Sequence, residues 1–115
     1  MIESIKDILS DVKLIEVINQ ERNKLKIEFE ESLYLRYNQG LFKADKETLL
    51  FIELLIKHPI DKNVLLDIND VPIEIKDLND LKEKLLEVYH KTINNYLNSY
   101  NHLKTLRTKE TFFHD

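Results

Sequence analysis

The chain contains no cysteine, which excludes disulfides, thiolate-bound zinc, iron–sulfur clusters and thiol nucleophiles and favours a reducing, cytoplasmic setting. Glycine occurs once, at Gly40. A loop that cradles phosphate needs several glycines where backbone N–H groups approach the ligand closely, so the P-loop and the dinucleotide fingerprint are excluded together. Long apolar runs are also missing. The longest candidate, TLLFIELLI at 48–56, contains Glu53 and falls far short of the ~18–20 residues of a membrane span. The first residues, MIESIKDILSDVK, place charges in every turn and lack the apolar centre of a signal peptide. No membrane partner is expected.

What the chain does contain is a soluble, globular balance of 43% hydrophobic and 33% charged residues in 115 positions, enough for one core and read as a single domain, 1–115. The formal net charge is only −4, but its distribution is uneven. Residues 66–87 carry seven acids against three lysines, whereas residues 88–109 carry none, with Lys91, Lys104, Arg107 and Lys109 instead.

Periodicity assigns the elements. Ile2, Ile5, Ile8, Leu9 and Val12 suggest a short amphipathic helix, with a break expected near Ser10-Asp11 where the stripe loses phase. From Leu25 the apolar residues Leu25, Ile27, Phe29, Leu33, Leu35 and Tyr37 occupy odd positions, which predicts strands over 24–30 and 33–38; one long helix ending near Gly40 is the alternative. Asn38-Gln39-Gly40 marks a turn. Asp45 can cap a helix that is apolar nearly all round, expected as the buried centre and stopped by Pro59. Val64-Leu65-Leu66 and Val71, Ile73 and Ile75 form a hairpin across Asn69-Asp70, with Pro72 at an edge. Asp77 caps a last helix whose stripe of Leu78, Leu81, Leu85, Tyr89, Ile93, Tyr96, Tyr100 and Leu103 runs on to Arg107. The adjacent Phe112 and Phe113 are expected to dock on the core or a neighbour.

No catalytic or metal motif emerges. Asp67, Asp70 and Glu74 fail the calcium-loop template, because a loop started at Asp67 has Pro72 at its sixth position and Leu78 at its twelfth. These acids read as turn chemistry that Asn could replace. His58, His90, His102 and His114 show no metal-ligand spacing. No cofactor is expected. The distal part of the last helix offers Tyr89, Tyr96 and Tyr100 for stacking and Lys104, Arg107 and Lys109 for phosphates, although a core stripe with cations at a helix C-terminus explains the same residues.

GLFKAD, VLLDINDVPIEIKDL and YHKTINNYLNSYNHLKTLR together resemble small uncharacterised proteins of T4-like phages of marine bacteria, cyanophages included. The resemblance covers roughly residues 25–107 and implies a phage protein made in a bacterial cytoplasm, with no residue role attached. The expected fold is α+β and helix-dominated, with short antiparallel hairpins and a long C-terminal helix; a mostly α bundle with one β-hairpin is the alternative. The expected function is a non-enzymatic, self-associating interaction protein, a homodimer or higher oligomer through Tyr89, Tyr96, Tyr100, Lys104, Arg107 and Lys109. A protein partner is the further expectation, and nucleic-acid binding by that same basic end is the alternative.

Overall fold

In the computed structural model, which describes the backbone of residues 2–113 and the side chains of residues 10–105, helices and hairpins alternate along the chain. The order is α1 (Ile2–Glu31), β1 (Tyr34–Tyr37), β2 (Gly40–Lys43), α2 (Lys46–Lys57), β3 (Asn63–Leu66), β4 (Pro72–Ile75) and α3 (Leu78–Phe113). The strands pair as two separate antiparallel sheets, β1–β2 and β3–β4. The class is therefore α+β and helix-dominated, with the long C-terminal helix that periodicity predicts.

Aspartates start the two later helices. The Asp45 carboxylate accepts the Thr48 N–H at 2.9 Å, and Asp77 accepts that of Asp80 at 3.1 Å, so each satisfies a backbone donor that a helix N-terminus leaves open. Helix α2 ends at Lys57, just ahead of Pro59.

Helix α1 corrects two expectations. It runs unbroken through Ser10-Asp11, and residues 24–30 are helix rather than strand. Residues between Glu16 and Glu31 are mostly good helix formers. Leu25 and Phe29 lie four apart on one helix face and are half-buried, as are Leu14 and Ile18, while Ile27 is 57% exposed. The alternation of Leu25, Ile27 and Phe29 thus contained a four-residue period with one exposed residue between. The second expected strand does form, as β1, and its partner is β2, a strand that the periodicity does not predict.

Residue contacts gather into two compact units, one of α1 and the distal part of α3, the other of residues Glu31–Asn94. In the first, α1 and α3 present apolar stripes to each other: Phe29 meets Tyr96 with ring centroids 5.0 Å apart, and Tyr96 stacks on Tyr100 at 6.3 Å. In the second, Leu33, Phe42, Ala44, Ile52, Leu65, Ile75, Leu78, Leu81 and Leu85 form the buried core. Burying each large side chain there contributes roughly 1.5–3 kcal/mol.

Helix α2 is less buried than its composition predicts. Ile52 is fully buried, but Leu50, Phe51 and Leu54 are 71%, 50% and 53% exposed. A helix with one core-facing stripe leaves its other apolar residues in solvent unless something else covers them.

Candidate interaction surface

The two hairpins present four outer strand edges, and the turn geometry decides which backbone groups point outward. In β1–β2, Asn38 and Gln39 have φ of 48° and 69°, a two-residue turn of the type that matches strand twist. Gly40 does not take the positive φ that its place in the turn suggested; it is buried, and a Cβ there would lie 2.9 Å from Ile73 Cγ1. Glycine is needed for space. The pairing Tyr37↔Gly40 then leaves Leu41 facing outward from β2. Both its backbone groups are taken: its N–H donates to Asp67 Oδ2 at 3.2 Å, and its carbonyl accepts the Ile68 N–H at 2.9 Å.

The second hairpin closes through a three-residue loop rather than a two-residue one. Asp67 N–H bonds the Val71 carbonyl and Asp70 N–H bonds the Asp67 carbonyl, both at 3.0 Å, with Asp70 at φ 61°. That is a type I turn followed by a left-handed residue. Asp67 is more than turn chemistry. It is 8% exposed, and its Oδ1 accepts the Asn69 and Val71 N–H groups at 2.8 and 3.0 Å while Oδ2 reaches Leu41. These bonds, that from Val71 foremost, hold its pKa below the usual carboxylate value despite the opposing effect of burial.

The bond between Asp67 and Val71 sets the alternation along the hairpin. Leu65 and Asn63 exchange hydrogen bonds with β4, whereas Val64 and Leu66 turn their N–H and C=O groups away from it. On the β4 side the outward positions are Pro72, which has no N–H, and Glu74, whose carbonyl accepts Asn38 Nδ2 at 3.3 Å. On β1 the exposed Arg36 guards the edge. On β3 nothing does: among the described residues, none bonds the outward groups of Val64 or Leu66. Their side chains are 50% and 61% exposed.

That open edge borders a groove of about 360 Å³ lined by Phe42, Glu47, Thr48, Phe51, Ile52, Val64, Leu65 and Leu66. Successive strand residues point to opposite faces, so a groove touched by Val64, Leu65 and Leu66 together lies along the strand's edge. Its far wall is α2, and Phe51 faces it. Leu54, three residues on from Phe51, and Leu50, four before Leu54, continue the exposed apolar surface around that helix.

The residues singled out from the sequence lie elsewhere. Tyr89 is half-buried on α3, edge-on to His90 at 5.8 Å. Tyr96 and Tyr100 belong to the aromatic row with Phe29, and Tyr100 and Lys104 border a small recess with Ile18 and Arg22 of α1. The side chains of Arg107, Lys109, Phe112 and Phe113 lie outside the described residues. All three tyrosines are half-buried, and Tyr96 and Tyr100 lie beside residues of α1. Tyr37 donates a hydrogen bond to Asp80 Oδ2 at 2.9 Å, which helps to lower the Asp80 pKa, while burial first and then this bond raise that of Tyr37. Among the described residues no three carboxylate or imidazole groups converge as a metal site, and no helix is long and apolar enough to cross a membrane.

No family model, curated protein or solved structure matches the chain, and none bears on the likeness to phage proteins drawn from its motifs.

Proposed function

We propose that the chain is a non-enzymatic interaction protein that holds a protein partner on the surface formed by α2 and β3. The observation carrying this reading is the unguarded edge of β3 beside an apolar groove, where Phe51, Val64 and Leu66 stay exposed. Contiguous exposed apolar surface on a small domain marks an interaction site more often than it marks chance. The residues expected to carry self-association include Tyr96 and Tyr100 of the α3 stripe. Both lie beside α1, and the exposed groove offers the more open apolar surface for a partner.

The test is a paired capture from bacterial lysate with the native chain and a Phe51→Ser/Leu66→Ser variant of matching circular dichroism. A protein retained by the first and lost by the second supports the reading. Identical captured sets, or none, refute it. Light scattering of the chain alone separates a second copy from a different partner.

A further inference from the structure

We infer that the groove between α2 and β3 binds an extended peptide strand, which adds to the β3 edge as a third strand of the β3–β4 sheet. The inference rests on the reading above and names the partner's chemistry. An apolar groove by itself could take a helix, a lipid chain or a loop. What selects an extended backbone is the wall formed by β3: Val64 and Leu66 each offer one N–H and one C=O outward, at the spacing of alternate strand residues, with no partner among the described residues. Only another strand satisfies donors and acceptors in that repeat.

The opposite wall specifies side chains. A strand lying beside β3 directs alternate residues to one face, toward Phe42, Phe51 and Ile52. Those residues should be apolar, since any polar group placed there would be desolvated without a partner. Glu47, in the first turn of α2, is exposed at the same groove and is the one charged lining residue among those described. A lysine or arginine near one end of the strand would complement it. The occupant is therefore a short segment of alternating apolar residues with a basic residue at one end. A second copy pairing through its own β3 is disfavoured, because that strand also has its α2 along the outer edge and two such helices would compete for the same space.

The experiment pans a random octapeptide library on the full chain and then measures synthetic copies of the enriched peptides by calorimetry. Enriched sequences should show apolar residues at every second position and a terminal Lys or Arg. Val64→Pro, which removes one outward N–H at an edge position that tolerates proline, should weaken binding by about tenfold, the effect of one lost backbone hydrogen bond. Val64→Thr keeps that N–H and should bind within about twofold. Glu47→Lys should shift the selection to acidic ends. In the unaltered chain, peptide should slow hydrogen exchange at the Val64 and Leu66 amides, a readout that stands even if the proline variant fails to fold. Enriched peptides without alternation, no enrichment, or binding that leaves those amides unprotected would each overturn strand addition while leaving the paired capture to decide the broader reading. Protection that rises with protein concentration in the absence of peptide would overturn it in favour of a second copy.

Discussion

The two hairpins share a strand length and a place against the same core, yet they differ in how their edges end. Hairpin β1–β2 is sealed on the β2 side, where the backbone of Leu41 is bonded to Asp67 and Ile68, and carries the exposed charge of Arg36 along β1. Hairpin β3–β4 is closed on the β4 side only, by Pro72 and by Asn38 bonding Glu74. Each hairpin supplies the residue that covers the other: Asp67 seals β2, and Asn38 caps β4. The chain thus covers two edges with bonds or proline, sets a charge on the third, and leaves the fourth, on β3, apolar and open. The difference teaches where pairing is tolerated, and it can be broken in graded steps.

The largest loss should come from Asp67→Ala. It strips a nearly buried carboxylate from three backbone donors and unfastens the two hairpins at once, and unsatisfied buried donors are among the costliest defects known. Thermal unfolding followed by circular dichroism should show a drop in Tm of several degrees, with Asp67→Asn intermediate, because its amide keeps one acceptor but turns a donor toward the Leu41 N–H.

Acid should act on the same contact more gently. Because the folded pKa of Asp67 lies below its unfolded value, the native state binds that proton less readily. Stability is therefore complete above the unfolded carboxylate pKa and falls as pH drops through the folded one. Asp80 carries the same sign, so urea midpoints measured across this acidic range should flatten partly in Asp67→Asn and further in the double variant with Asp80→Asn. A midpoint that rises on acidification would contradict both assignments.

Gly40→Val should cost about 1–3 kcal/mol, the usual penalty for overpacking, because its Cβ would meet Ile73 at 2.9 Å. The smallest effect should be a gain: Gln39→Gly relieves a left-handed φ of 69° and should raise stability by about 1 kcal/mol. Denaturant titrations check both, and a gain from Gly40→Val would show that the contact with Ile73 yields freely.

Much of this architecture is legible in the residue order. Asp45 and Asp77 announce helix starts, Pro59 a stop, and Val64 to Ile75 a hairpin, because caps and turns act over three or four residues. The failures have a common physical root. Leu25 and Phe29 satisfy a two-residue and a four-residue period alike, so only the stripe on α3 decides between them. The exposure of Leu50, Phe51 and Leu54 depends on which side of α2 the core takes. Asp67 looks like any turn aspartate until Leu41, 26 residues earlier, comes to its carboxylate. The α1 neighbours of Tyr96 and Tyr100 lie about 70 residues away in sequence, so no local pattern shows them. The open edge of β3 was invisible for a related reason: edges are defined by what fails to arrive.

The bond from Leu41 to Asp67 also bears on how the chain is made. A hairpin such as β1–β2 can form in about 1–10 μs, but the residues that close its outer edge follow 26 positions later. At roughly 5–20 residues per second of synthesis, that is a delay of about 1–5 s. For at least about a hundred thousand hairpin-forming times the nascent chain carries an unsealed β2, exposed to neighbouring nascent chains on the same message. The seal that stabilises the finished protein is thus also a timer, and a slow codon between Leu41 and Asp67 would lengthen the interval in which β2 can pair wrongly.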